Sequence, residues 1–378
     1  MRVVINALSA RLGGGQTYLH NLLQHVPEGW QIWLLAPASL VMHAHSEKVR
    51  RIDVPTYLEN PLLRAVWERL RLPRLLRALE ADVLFCPGGM VNTSVPLRCK
   101  TVTMSRNMMP FDKEQRRKYP WGYDRLRLWL LGKLLLRSML QADLLIFVSE
   151  YARRVITGMT DKTLPDNVVI PHGISAEFRP GTGHSVPRPQ WLPQQPYFFY
   201  PSTLDYYKAQ IEVVQGFARY KQHGGEENLI LAGPENLSYG KKLRQEIARL
   251  RLEGVVLLPG KIPYYELPAV YQHARINLFA SYTENCPNIL LEMMAAGRPI
   301  LCSDRQPMPE FGGDAVLYFA PSDPEVLAAL LAALNADASL MDSLGRRATA
   351  RSASYDWCQT AQLTWQAIAK IQFGVMRT

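Results

Sequence analysis

The chain has 378 residues, 48% hydrophobic and 20% charged, a globular balance in a chain too long for one ordinary core, so two domains are expected. Its formal net charge is +10, and the excess lies wholly in residues 1–180, which hold 25 Lys and Arg against 15 Asp and Glu, while the remainder holds 18 of each. This asymmetry predicts an anionic partner on one domain, nucleic acid or membrane surface, and no apolar run is long enough to predict a membrane span.

Cys86, Cys99, Cys286, Cys302 and Cys358 are an odd number with no close pairing, which predicts reduced thiols in a cytoplasmic protein rather than a disulfide framework or a zinc site. The opening MRVVINAL is too short and wrongly flanked for a signal peptide.

Arg2 to Asn6 reads as a strand, followed by a glycine turn, Gly13, Gly14 and Gly15, and an amphipathic helix from about Gln16 to Val26. Three glycines here are equally consistent with a merely flexible turn. Gln31 to Ala36 and Ala81 to Cys86 are further strands. Between them, residues 62–80 are Arg-rich with apolar residues at helical spacing, interrupted at Pro73. Residues 113–137 carry eight Lys and Arg against Glu114 and Asp124, with Tyr119, Trp121, Tyr123 and Trp129 interleaved. Basic, aromatic, leucine-rich helices of this kind lie on membrane interfaces, or are ordinary domain helices with solvated charges. No nucleic-acid motif accompanies the charge, so nucleic acid is set aside.

Residues 101–114 form a strand that ends near Arg106 and Asn107, and ADLLIFVS, 142–149, is a buried strand before a helix. NVVIPHGISAEFRP, 167–180, puts His172 and Gly173 at a strand end, and residues 181–196, rich in Pro, Gly and Gln, read as a linker. A second domain opens at YFFYPSTLDYYKAQ, 197–210, and continues with strands at 228–233 and 255–262. Ala315 to Phe319 is a late strand, with two helices to about 351 and a last helix from Tyr355.

The most informative stretch is INLFASYTENCPNILLEMMAAGRPILCSD, 276–304. It reads as strand, turn, helix, strand, the unit of a parallel sheet. Pro287 suits a first helical position and Gly297 a left-handed cap. Glu284 lies in the turn and Glu292 eight residues later on the helix. Helical side chains lean toward the N-terminus, so Glu292 can reach the mouth of the turn, where free N–H groups favour phosphate and a carboxylate suits ribose hydroxyls. Spacing alone also permits two exposed, inert glutamates, the commoner case for such a pair.

This stretch resembles the signature of the family-4 retaining glycosyltransferases, which have the GT-B fold: a Glu, seven residues, a second Glu, a small-residue helix end, Gly and an apolar strand. The resemblance covers nearly the whole chain and is weakest from 37 to 135. It implies α/β architecture with two Rossmann-like doubly wound domains facing across a cleft that holds the active site. Residues 1–180 would form the acceptor domain, with the helix 355–378 packing back on it, 181–196 the linker and 197–354 the donor domain.

The same resemblance implies roles. Glu284 faces the donor sugar and Glu292 holds the ribose. Gly14 and Gly15 back onto the sugar and phosphates. Ser202, Thr203 and Lys208 hold the pyrophosphate, with Thr203 where the family has Arg. Gly260 and Lys261, within the segment Leu258 to Ile262, line the base, and the turn of Asn285, Cys286, Pro287 and Asn288 brings its backbone N–H groups, Pro287 having none, to the phosphates. His172 belongs to the cleft. Arg106 and Asn107 stand where many members place a His; Asn107 could bond a sugar hydroxyl and Arg106 could face a phosphate.

The implied reaction moves a hexose from a UDP-sugar or GDP-mannose, with retention, to a glycan or lipid-linked acceptor in bacterial surface-polysaccharide or lipopolysaccharide synthesis. No Asp-x-Asp occurs, so no metal or other cofactor is expected. The expected location is cytoplasmic, with contact to the inner face of the membrane through 62–80 and 113–137. The alternatives are a nucleotide-sugar epimerase and a non-catalytic scaffold binding anionic membrane.

Overall fold

The computed structural model describes residues 1–10, 14–37, 40, 47–180 and 187–373. The chain divides into two compact units. The first comprises Met1–Phe111, Leu126–Gly173 and Asp356–Thr378; the second comprises Asp112–Arg125 and Ile174–Tyr355.

The first unit is built on seven strands: β1 (Arg2–Asn6), β2 (Gln31–Leu35), β3 (Val49–Ile52), β4 (Val83–Cys86), β5 (Lys100–Ser105), β6 (Leu144–Phe147) and β7 (Asp166–Val169). They pair in parallel in the order β3-β2-β1-β4-β5-β6-β7. The central strands are buried almost throughout because helices cover both of their faces. Register places Cys86 beside Thr103 and Thr103 beside Leu145, so these share a face. On that face Leu72 and Leu76 pack with Leu84 and Cys86, while Leu135 and Met139 pack with Leu145 and Phe147. The helices Pro61–Leu70, Leu72–Ala78 and Tyr123–Gln141 therefore form one layer. The terminal helix, Trp357–Phe373, packs on the helix Gly14–Gln24, with Trp365 Nε1 donating to Leu22 O at 3.3 Å.

The second unit holds β8 (Tyr197–Pro201), β9 (Asn228–Ala232), β10 (Val256–Gly260), β11 (Ile276–Phe279), β12 (Ile300–Ser303) and β13 (Leu317–Phe319), all parallel, in the order β10-β9-β8-β11-β12-β13. From β8 the chain winds outward to β10, then returns to β11 on the other side of β8. The β8/β11 boundary is thus the switch point, where open α/β sheets bind ligands beyond the strand ends.

Several boundaries differ from expectation. The units part after Gly173 rather than at 180. The linker's first part, 181–186, lies outside the described residues; its second part is packed, with Leu192 buried and Trp191 Nε1 donating to Glu266 Oε2 at 2.8 Å. Residues 62–80 form two helices that part at Arg71, and Pro73 sits in the first turn of the second, where its missing N–H costs nothing. Residues 113–137 also form two helices, Lys113–Lys118 and Tyr123–Gln141, and Asp112–Arg125 belongs to the second unit.

Candidate active site

The loops after β8 and β11 meet at the switch point, where Tyr282 N donates to Tyr207 O at 2.8 Å. The β8 loop tightens into a single 3-10 turn, Tyr206–Lys208, capped by Asp205, whose carboxylate accepts from Tyr206 N at 2.8 Å. Ala209 follows in the left-handed region, at φ +56°, before the helix Gln210–Gln222 begins. A non-glycine residue pays about 1 kcal/mol or more for that conformation, a strain that clusters at functional sites. Tyr200 anchors the turn by donating to Lys208 O at 2.7 Å.

Lys208 is buried, at 6% exposure, and its Nζ donates to Glu284 Oε1 from the β11 loop. Burial alone would lower the Lys208 pKa; the charge and hydrogen bond of Glu284, together with the neighbouring Tyr207 and Tyr200, more than reverse this, and the ammonium is held charged. A charged, desolvated cation beside a carboxylate is thus fixed at the switch point.

Ser202 is also buried, and its Oγ accepts from Gln210 Nε2 at 2.7 Å, while the same amide donates to Thr203 O at 3.0 Å. Thr203 is exposed beside it. Gly233, at φ +148°, comes so close that a Cβ there would stand 2.1 Å from Ser202 O, so only glycine lets β9 pass under this loop.

The helix of the signature runs Asn288–Ala295, with Pro287 at its N-cap rather than its first position, and Gly297 closes it at φ +73°. Glu292 lies in its second turn, as the spacing predicts. Its carboxylate accepts from Tyr271 at 3.0 Å and from Tyr264 at 3.2 Å. Burial pushes its pKa up to about 7, against the pull of the two hydroxyls. Asn285 and Pro287 are buried, and Cys286 and Asn288 half-buried. Gly260 and Lys261 are exposed at the end of β10, where Gly233 N donates to Gly260 O at 2.7 Å.

The remaining predicted site residues belong to the first unit. Gly13 lies outside the described residues. Gly14 and Gly15 open the helix Gly14–Gln24 instead of forming a separate loop. His172 is 4% exposed, stacked on Trp357 at 5.5 Å between ring centroids and also 5.5 Å from Tyr18. The Arg106 guanidinium stands 5.3 Å from the Tyr18 ring centroid and close to Gly15. Asn107 is exposed, and its Oδ1 accepts from Met109 N at 3.0 Å, so its carbonyl closes its own turn. Structure thus gathers Gly15, Arg106 and His172 around Tyr18, and sets Asn107 apart in a local turn.

Asp112–Arg125 braces the β8 loop from outside. The helix Lys113–Lys118 packs on the 3-10 turn that carries Lys208, and the Tyr119 ring meets Tyr206 at 5.4 Å. Lys118 Nζ sits 3.2 Å from the Tyr282 ring centroid. Sequence reasoning missed these supports, and missed Tyr200, Gln210, Tyr264 and Tyr271. Their only sequence signal is a hydroxyl or amide in an apolar run, and the partners lie 8 to 28 residues away.

The model of "Glycosyltransferase Family 4" matches residues 12–178, and that of "Glycosyl transferases group 1" matches residues 187–351. The chain is 26% identical over 238 residues to an O-antigen chain mannosyltransferase B of Escherichia coli; the match spans 62% of this chain and 62% of that protein, less than two thirds of either. Among solved structures, sucrose-phosphate synthase of Thermosynechococcus elongatus superposes with a TM-score of 0.74 at 16% identity over 99% of both chains. WaaG, a glycosyltransferase involved in lipopolysaccharide biosynthesis, superposes with a TM-score of 0.72 at 14% identity, covering 99% of this chain and 100% of its own. HepE of Anabaena, solved with UDP, gives 0.71 at 15% identity over 98% of this chain and 100% of its own. With its family 4 N-terminal half, its group 1 C-terminal half and its two parallel-sheet domains, the chain belongs to the GT-B glycosyltransferases.

Proposed function

We propose that the protein transfers a hexose from a nucleoside diphosphate-sugar to a glycan or lipid-linked acceptor, with retention at the anomeric carbon and without a metal. The observation that carries this reading is the buried Lys208–Glu284 pair at the β8/β11 switch point, with Glu292 on the adjoining helix. A diphosphate entering there would compete for Lys208. Glu284 would then be released to accept from sugar hydroxyls, and Glu292 would accept from the ribose.

In the reaction the bond from the anomeric carbon to phosphate breaks, and a bond to the acceptor oxygen forms. The acceptor's proton passes to the leaving phosphate oxygen, so no separate base is required. Lys208 and the N-terminus of the helix Asn288–Ala295 would offset the charge growing on that phosphate. We assign the acceptor to the first unit, and a cytoplasmic location to the protein on the ground of its five free cysteines. The Escherichia coli relative is named for mannose and the Anabaena structure holds UDP, so GDP-mannose and UDP-glucose are the donors to try first.

The test is release of nucleoside diphosphate from each donor, with the anomeric configuration of the product read by NMR. Lys208→Ala should lower kcat by roughly 10²- to 10³-fold. An inverted product would overturn retention, and no turnover with any donor and a range of glycan acceptors would overturn the enzymatic reading.

A further inference from the structure

We propose that the helical layer on one face of the first unit's sheet docks on an anionic lipid bilayer. Two helices of that layer turn large apolar side chains outward. On Pro61–Leu70, Leu62, Val66 and Leu70 are 78%, 56% and 60% exposed, one stripe at four-residue spacing. On Tyr123–Gln141, Leu126, Leu130 and Leu134 are 64%, 49% and 42% exposed, a second stripe at the same spacing. The inward side of Tyr123–Gln141 is ordinary core, with Leu135 and Met139, while on Pro61–Leu70 the half-buried Trp67 packs against the cluster that holds Leu72 and Leu76 of the next helix.

Both stripes belong to one surface. The register Cys86, Thr103, Leu145 puts the strands beneath them on the same sheet face. The loop after β4 ties the helices together: Asn92 Nδ2 donates to Ala65 O at 2.9 Å, and Val91 N donates to Ser138 Oγ at 2.6 Å.

Charge selects the occupant. Arg69, Arg71 and Arg74 are exposed beside the first stripe; Arg127, Lys133 and Arg137 are exposed beside the second. No Asp or Glu occurs from 125 to 142, and Glu68, the one acid of the helix Pro61–Leu70, is buried beneath it and accepts from Asn6 Nδ2 at 2.8 Å. Trp129 is exposed, with Lys133 Nζ 3.9 Å from its ring centroid, an aromatic and a cation placed together as at a headgroup boundary. The exposed acids nearby, Glu59 and Asp124, each precede the stripe, and apolar stripes edged mainly by cations fit acyl chains beneath anionic headgroups. Among the described residues no single helix is long and apolar enough to cross a membrane, so the contact is in the membrane plane. The expected membrane segment 113–137 is correspondingly narrowed, because Lys113–Lys118 packs within the second unit.

The test is co-sedimentation of the full chain with phosphatidylcholine vesicles, with and without phosphatidylglycerol, at low and high salt. The proposal expects binding only with phosphatidylglycerol, weakened by salt. Arg69→Gln/Arg71→Gln/Arg74→Gln should lower the partition roughly a hundredfold, and Leu126→Ser/Leu130→Ser/Leu134→Ser should abolish it. Circular dichroism checks that both variants fold; if either does not, the lipid and salt dependence of the native chain decides alone. Absence of binding, equal binding to both vesicles, or a concentration-dependent dimer that the leucine variant dissolves while vesicle binding persists would overturn it. This outcome is independent of the transfer assay.

Discussion

Lys208 and Glu284 are 76 positions apart in sequence and form one ion pair, Lys208 buried and Glu284 half-buried, joining the loop after β8 to the loop after β11. Removing one partner leaves the other charged and desolvated, which costs about 3 kcal/mol or more. Lys208→Met and Glu284→Gln should each show that loss in denaturant unfolding. The double variant should lose distinctly less than their sum, because it leaves no orphaned charge. Additive losses would mean that the pair is not formed in solution.

Glu292 predicts a dependence on pH. Its folded pKa, about 7, lies above the ordinary 4.5, so between those values the folded chain keeps a proton that the unfolded chain has lost. The resulting stabilisation is complete below 4.5 and is lost as pH rises through about 7. Measured against Glu292→Gln, which cannot ionise, the native chain's melting temperature should fall steadily across that window. Nucleotide affinity should move the opposite way, rising with pH as the carboxylate forms, and should be flat in the variant. A melting difference that is constant with pH would contradict the assignment.

His172 and Gly173 hold the terminal helix to the first unit. His172→Ala removes a ring packed between Tyr18 and Trp357 and should cost about 2 kcal/mol, with His172→Phe recovering most of it. Gly173→Ala should cost about 3 kcal/mol, since its Cβ would stand 2.2 Å from Trp357 N, a backbone atom that cannot step aside. Thermal melting of the three variants checks the order. If His172 serves the reaction as well, His172→Phe will melt like the native chain and still lose kcat.

Tyr119 links Asp112–Arg125 to the donor loop. Tyr119→Ala should cost about 2 kcal/mol by opening the ring contact with Tyr206, and should raise the KM for donor, because the 3-10 turn beneath carries Lys208. Steady-state kinetics with donor varied measures this. An unchanged KM would show that the brace does not position Lys208.

Much of this arrangement is legible in the sequence wherever local pattern decides structure. The strand, turn, helix and strand of 276–304 are in place, with Gly297 at positive φ, because periodicity and cap chemistry act over a few residues. Glu284, Glu292 and Lys208 are identified by motif; structure pairs Lys208 with Glu284 at the switch point and puts Glu292 on the helix that follows. What pattern could not give is what holds them: Tyr264 and Tyr271 on Glu292, Gln210 on Ser202, and Tyr119 against the Lys208 turn. Those contacts depend on tertiary closure and leave no period. For the same reason residues 113–137, uniform in charge and aromatic content, divide between two units: only packing separates Lys118 over Tyr282 from the exposed stripe that starts at Leu126.

The most direct test of the central claim, that the β8/β11 switch point holds a nucleoside diphosphate, is thermal melting of the purified protein with UDP, GDP, ADP or no ligand. A nucleotide at about 100 times its Kd adds roughly 2.7 kcal/mol of stability. The account predicts a clear rise with one of them that disappears in Glu292→Ala and Lys208→Ala. No rise with any nucleotide, or a rise that both variants keep, would contradict it.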